Sequence, residues 1–251
     1  MPSLSDNKQE WDVTYTWERG GDEWSDPWGG ARAQWSGSIL PRIFPFLDRG
    51  RILEIAPGYG RWTQFLKDHC DSLVAVDLSP QCIAQCKSRF EGCKHVECFA
   101  NDGKTFPMVE DGSISFVFSF DALVHAEADV LESYVHELSL KLKPGAVGFL
   151  HHSNLGGVRR SLTNEIRRRL SGVPFNKGWR ASSMSAELMR LFCKRNGMSC
   201  VQQEIIPWVS SGPYPIDCFS TFVNEPDLAT VAFQNDRFME EARAVKRVAT
   251  L

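Results

Sequence analysis

No stretch of the sequence approaches the ~20 apolar residues that a helix needs to cross a bilayer, and no membrane partner is expected. Charge of one sign is also missing: 28 Lys and Arg stand against 31 Asp and Glu, a formal net charge of -3. That balance gives no general grip on a phosphate backbone, so nucleic acid is not an expected partner either. Eight cysteines are present, but none form a CxxC pair. The spacings Cys82/Cys86, Cys93/Cys98 and Cys193/Cys200 suit buried thiols acting as small hydrophobes rather than a zinc site. Residues 1–11 are polar and acidic and lack the apolar stretch of a secretory signal. The thiols are therefore expected in a reducing compartment, the cytoplasm. No internal repeat and no low-complexity tract interrupts the chain.

What is present is an ordinary globular composition. The chain has 251 residues, 43% hydrophobic and 24% charged, which suits one large domain with appendages. Tryptophan is unevenly spread: Trp11, Trp17, Trp24, Trp28 and Trp35 all precede residue 36. The chain divides into an aromatic arm and helix over 1–50, a core over 51–223 with an insertion at 155–182, and a charged, weakly specified tail over 224–251.

Gly20-Gly21 and Gly29-Gly30 predict irregular backbone up to residue 30. Apolar residues then recur at helical spacing from Ala31 to Leu47, with a bend at Pro41. From Arg51 a strand and helix rhythm begins. The short apolar runs 51–56, 72–76, 95–99, 114–119 and 146–151 predict strands. Residues 61–69, 79–90 and 128–142 predict helices, the second with Ser79 as N-cap and Pro80 at its first position, the third stopped by Pro144-Gly145. Such alternation implies right-handed crossovers and a mostly parallel sheet. A further helix is expected over 185–196, capped by Ser185 and stopped by Gly197. Residues 199–206 and 217–223, joined by the loop 207–216, predict a terminal antiparallel hairpin. The expected fold class is α/β, a doubly wound sheet of seven strands.

The strongest local signal is Glu54-Ile55-Ala56-Pro57-Gly58-Tyr59-Gly60. A strand delivers the chain to a tight turn whose glycines, lacking Cβ, let a ligand approach the backbone. Asp77 ends the second strand, where a carboxylate can accept from both hydroxyls of a ribose. A nicotinamide fingerprint would read GxGxxG, but Thr63 stands at the third glycine position. Asn101-Asp102-Gly103 follows the third strand, placed for the exocyclic amine of an adenine. Phe118-Ser119-Phe120-Asp121 closes the fourth strand, and Leu142-Lys143-Pro144-Gly145 precedes the fifth.

Taken in order, these segments resemble class I S-adenosylmethionine-dependent methyltransferases, from Glu54 to about Phe149. More narrowly, Asp26-Pro27-Trp28-Gly29-Gly30 with Ala33-Gln34-Trp35, then Phe118–His125 and His151-His152-Ser153-Asn154, resemble a bacterial subgroup found with glycan or natural-product biosynthesis. The resemblance implies S-adenosylmethionine as cofactor, with Gly58 and Gly60 near its methionine part, Asp77 on the ribose and Asp102 near the adenine. Glu54, Ala56, Trp62, Leu78, Asn101, Gly103 and Ser119 complete the expected contacts. The arm's tryptophans are expected to form a lid over the cofactor or acceptor, with Trp28 and Gln34 the preferred members; the plainer alternative makes the arm a core strap. Ala56-Pro57 departs from the family's usual smaller or more polar pair, and the backbone is expected to turn there all the same.

Methyl transfer from a sulfonium is an in-line displacement in which the enzyme mostly positions the acceptor. A hydroxyl acceptor is helped by a base, for which Asp121, His125, His151 and His152 are candidates. Asp121 and His125 would share a face of a helical turn. Of the strand-end pair at most one faces the acceptor, and His152 is preferred. The structural alternatives are a helix cap for Asp121 and satisfied, partly buried imidazoles. Trp179 and Arg180 are placed to stack on and bond to a sugar or ring. Arg159, Arg160, Arg167, Arg168 and Arg169 read as a solvated helix face, or as a grip on an acceptor phosphate or carboxylate. No dense carboxylate set suggests Mg²⁺, and no metal is expected. The function expected is O-methylation of a small-molecule or glycan acceptor. N- or C-methylation of a metabolite and a non-catalytic cofactor-binding scaffold are the alternatives, and a homodimer is left open.

Overall fold

Short runs of Ile, Leu, Val and Phe between polar turns build the centre of this molecule. The structure is a computed structural model that describes residues 3–175, 179–208, 212 and 214–251. The arm, expected to be irregular, coils into short turns. It holds α1 (Leu4–Gln9), capped by Ser3, then a π-type turn Glu10–Thr14 and a 3-10 stretch Asp22–Trp28. Next, α2 (Ala31–Gln34), a π-type turn Trp35–Ile39 and α3 (Leu40–Ile43) make one bent helical run. Pro41 has no N–H for the carbonyl one turn back, and the widened turn just before it absorbs the mismatch.

The core follows as β1 (Arg49–Ile55), α4 (Thr63–Leu66), β2 (Cys70–Asp77), α5 (Pro80–Arg89), β3 (Val96–Ala100), β4 (Ile114–Ser119), α6 (Ala128–Lys141) and β5 (Leu142–Ser153). The Ser79 hydroxyl accepts from Cys82 N–H, as the cap reading requires. Pro144-Gly145 do not stop a helix: α6 ends at Lys141 and Leu142 is already extended. The pairing of β4 with β5 instead slips between Ile114 and Phe116, so that the proline lies in a bulge rather than in a regular ladder.

The insertion forms α7 (Leu155–Arg160) and α8 (Leu162–Ser171); residues 176–178 of it lie outside the described residues. Then come α9 (Ala186–Arg195), capped by the Ser185 hydroxyl, β6 (Ser199–Ile206) and β7 (Asp217–Val223). Residues 209–211 and 213 of the connecting loop likewise lie outside the described residues. The sheet runs β3-β2-β1-β4-β5-β7-β6 and then one strand more. β1 to β5 are parallel, and β7 runs antiparallel to β5 and β6, which gives the expected hairpin.

The extra strand corrects the expected count of seven and the expectation of a weakly specified tail. β8 (Val231–Gln234) adds parallel to β6 as the eighth strand, and α10 (Phe238–Ala249) packs back on the arm. Phe238 is fully buried, its ring 5.8 Å from Trp208 and 6.0 Å from Trp28. Arg42 of α3 bridges Glu204 of β6 and Glu241 of α10, both at 2.8 Å. The tail was illegible as structure because its few apolar residues have partners only in remote segments.

Gly37 marks this docking. A Cβ there would lie 2.7 Å from a Val245 methyl. Gly37→Ala is expected to cost about 1–3 kcal/mol by overpacking, and Val245→Ala added to it should recover most of that loss in thermal unfolding. Simple addition of the two single effects would mean that α10 does not dock there.

Candidate active site

In a parallel sheet the strands' carboxyl ends share one edge, and ligands of open α/β sheets bind along it. Here that edge holds a cleft of about 840 Å³, open water at its mouth included, between β1, β2, β4 and the arm. Ala56, Gly58, Trp62, Asp77, Leu78, Gly103, Asp121 and His125 line it, among the residues expected from the sequence.

The glycine bend has left-handed backbone at Ala56 (φ 56), Gly58 (φ 59) and Gly60 (φ 84). For alanine that conformation costs roughly 1–2 kcal/mol, and the Ala56 N–H is held by the Val76 carbonyl at 2.7 Å. Asp77 closes β2 beside the bend. Its two oxygens accept from Gly58 N–H at 3.0 Å and Ser79 N–H at 2.8 Å. Burial pushes its carboxyl up to about 6 against those bonds. Glu54, sealed beneath, is pushed by burial to about 8 and is protonated at neutral pH. One of its oxygens accepts from Thr63 at 2.6 Å and the other has no partner among the described residues.

The arm is the roof. Trp17 stacks on Tyr59 with ring centroids 4.3 Å apart and lies over Gly58, where a Cβ would approach it to 2.8 Å. Leu4 lies over Gly103 in the same way, at 2.7 Å. Asn7 donates to the His125 carbonyl at 3.1 Å, and Asp12 bonds the Ser79 hydroxyl. Trp11, Tyr15, Trp17 and Trp24 interlock above the cleft. The roof therefore does not consist of the expected pair. Trp28 is wholly buried on Trp208 and Phe238, and Gln34 is wholly buried with both amide atoms unpartnered among the described residues. For those two the core-strap alternative describes the position.

Other expected contacts do not line the cleft. Gly60 faces Phe90, Asn101 bonds the Thr105 carbonyl and Tyr134, and Asp102 caps Lys104 and Thr105 N–H at 2.8 and 2.7 Å. Ser119 is buried at the end of β4.

At the far end of the cleft Asp121 sits in left-handed backbone (φ 62). Its carboxylate does not meet His125. It pairs with Arg61 at 2.9 Å, and that guanidinium lies over Trp62 at 4.5 Å and Trp24 at 5.2 Å. Such strain persists only where neighbours over-determine it. The Asp121 N–H donates to His151 Nδ1 at 3.1 Å; His151 Nε2 lies 3.3 Å from Asp217, and Arg180 holds Asp217 at 2.9 Å. Burial raises the Asp217 carboxyl, but the Arg180 guanidinium and His151 outweigh it and hold it at about 2. Arg180 is thus a buried strut rather than a group at the acceptor.

His125 is clamped between the rings of Trp11 and Trp179, at 5.4 and 5.5 Å. Its Nδ1 faces the Trp179 carbonyl at 2.9 Å. A carbonyl only accepts, so Nδ1 carries the hydrogen and Nε2 keeps the lone pair. Burial pushes this imidazole down to about 4, so it is neutral near pH 7. His152, the preferred member of the strand-end pair, is fully buried between the Ser153 carbonyl and the Ser220 hydroxyl. It bonds a side chain of the neighbouring strand β7 and does not line the cleft.

Arg61, Asp217 and the roof residue Asn7 were not singled out from the sequence; Trp11 was noted only as one of the arm's clustered tryptophans. For Arg61 a signal existed, a cation directly after the glycine bend and before Trp62.

Residues 52–145 match the family of methyltransferase domains. This segment is similar to methyltransferase domains. It runs from β1 to the start of β5 and supplies the cleft's glycine bend, Asp77 and Asp121. No curated protein matches the chain. The fold is that of S-adenosylmethionine-dependent methyltransferases. A magnesium protoporphyrin IX methyltransferase from Synechocystis, solved with bound SAH, is similar with a TM-score of 0.60 and 13% identity, over 88% of this chain and 99% of that one. A protein from Pyrococcus horikoshii gives 0.57 and 18% over 78% and 91%. An S-adenosylmethionine-dependent methyltransferase from Methanosarcina mazei gives 0.57 and 12% over 75% and 99%.

Proposed function

We propose that the chain is an S-adenosylmethionine-dependent methyltransferase whose acceptor atom is a hydroxyl of a small molecule or glycan. One observation carries this reading. A single cleft joins a nucleoside-sized pocket around Gly58, Asp77, Leu78 and Gly103 to a neutral histidine under an aromatic roof. Asp77 would accept from the ribose hydroxyls, Leu78 and Leu4 would flank the adenine, and Ala56 and Gly58 would face the methionine part. S-adenosylmethionine, when bound, supplies a methyl group already activated as a sulfonium.

The protein's own part is positioning. The Arg61–Asp121 pair fixes the loop after β4, and the indoles of Trp11 and Trp179 leave His125 little freedom to turn. Its Nε2 would take the proton that the acceptor hydroxyl gives up as the new oxygen–carbon bond forms. A neutral imidazole suits a hydroxyl proton, which supports oxygen over nitrogen as the acceptor atom.

Calorimetry of the purified protein with S-adenosylmethionine tests the cofactor, and a metabolite and glycan screen for a gain of one methyl tests the acceptor. Absence of binding sinks the reading. His125→Ala is expected to lower kcat by roughly 10²–10⁴-fold with cofactor affinity unchanged; full turnover in that variant removes the base role. In the wild type, kcat as governed by His125 should be flat above about pH 5 and fall as the imidazole takes a proton near 4.

A further inference from the structure

The geometry points to α8 as a docking helix for the surface of an anionic lipid bilayer. No residue of α8 is buried. Leu162, Ile166 and Leu170 are 75%, 52% and 85% exposed. At 3.6 residues per turn they fall within an arc of about 80° on one face. Arg169 lies about 20° to one side of that arc, with Glu165 about 60° out on the same side; Arg167 lies about 60° to the other side, and Arg168 occupies the opposite face. Large side chains are not left in water in such a row without a partner.

The charge around the row identifies the partner. Between residues 155 and 175 five arginines, Arg159, Arg160, Arg167, Arg168 and Arg169, face one carboxylate, Glu165, in a chain whose net charge is -3. Glu165 takes Arg168 and Arg169 at 2.7 and 2.9 Å, and Arg160 reaches Ser185 at 2.9 Å and Glu187 at 3.8 Å. Arg159 and Arg167 have no acidic partner among the described residues. A second copy of this face would set one group of arginines against another and bury the leucines at the cost of repulsion. A surface of lipid phosphates answers both demands: apolar side chains enter the boundary of headgroup and acyl chain, and guanidinium groups stay level with the phosphates. No helix of the described residues is long and apolar enough to cross a membrane, and lying on one requires none. The insertion leaves the sheet at the carboxyl end of β5, the edge that also carries the cleft, so docking would hold the cleft near the bilayer. The proposal does not depend on the transfer reaction.

The test is co-sedimentation of the full chain with vesicles of phosphatidylglycerol and phosphatidylcholine, beside vesicles of phosphatidylcholine alone. The protein is expected to sediment with the anionic vesicles and to be released as salt is raised. R159E/R167E/R169E and, separately, L162S/I166S/L170S should each weaken binding at least tenfold with unchanged thermal unfolding, since α8 buries nothing. Failure to bind the anionic vesicles, or equal binding to both kinds, overturns the proposal. So does a lipid-free dimer that L162S/I166S/L170S dissociates, because the face would then be a contact between copies.

Discussion

Asp77→Ala is expected to weaken S-adenosylmethionine binding by roughly 10²–10⁴-fold. Both carboxylate oxygens are tied to backbone N–H groups, and each keeps a second lone pair for a ribose hydroxyl. Two hydrogen bonds to a charged acceptor, at about 1.5–3 kcal/mol each, are lost together, and each 1.4 kcal/mol is about tenfold in affinity. Isothermal calorimetry at pH 8 measures this directly. A loss below tenfold would mean that the ribose does not rest on Asp77. The pH dependence has a definite sign. Burial raises this carboxyl to about 6, and hydroxyl donors need the ionised form. Affinity should hold above pH 7 and weaken as pH falls through 6. The same raised value makes the folded state less favourable as pH rises from about 4 through 6, so weaker binding in the variant at pH 8 cannot be blamed on lost folding if its Tm stays within a few degrees.

Arg180→Met should be the most damaging single change to folding. It leaves Asp217, wholly buried, without its cation. Breaking one side of a buried pair costs about 3–5 kcal/mol, which for a chain of this size lowers Tm by roughly 10 °C. Scanning calorimetry at pH 7 would show it, and Asp217→Asn in the same chain should restore part of the loss. Because Asp217 is held near 2 in the folded state, below its unfolded value of about 3.9, its stabilising contribution is complete above pH 4 and is lost as pH falls through 2. The gap between variant and wild type should narrow over that window. A variant that melts with the wild type would show that the Arg180–Asp217 pair adds nothing to stability.

The glycine-bend end of the cleft was legible because its signals are local. Gly58, Asp77 and the Ser79 cap each act within a few residues of a strand end. The acceptor side was not legible because its pairs are remote. Arg61 and Asp121 are separated by 60 positions, and nothing in either neighbourhood names the other. Asp121 and His125 looked like partners by spacing, yet a left-handed residue breaks the helical turn that would have aligned them. For His151 and His152 the alternation of a strand said that they face opposite ways; both are fully buried, and what encloses them, Phe120 and Trp208 at His151 and Ser220 at His152, comes from remote segments. Trp28 read as a lid for the same reason, since the segment that buries it had no recognisable pattern of its own.

That burial has a consequence for how the protein is made. Synthesis delivers Trp28 early, but the rings that enclose it, Trp208 and Phe238, leave the ribosome some two hundred residues later. The parallel half of the sheet can collapse first, while an indole-rich leader waits unclosed. A nascent chain halted before Phe238 would show that indole to water and to chaperones, and a reporter of tryptophan exposure on stalled chains would register the moment α10 arrives.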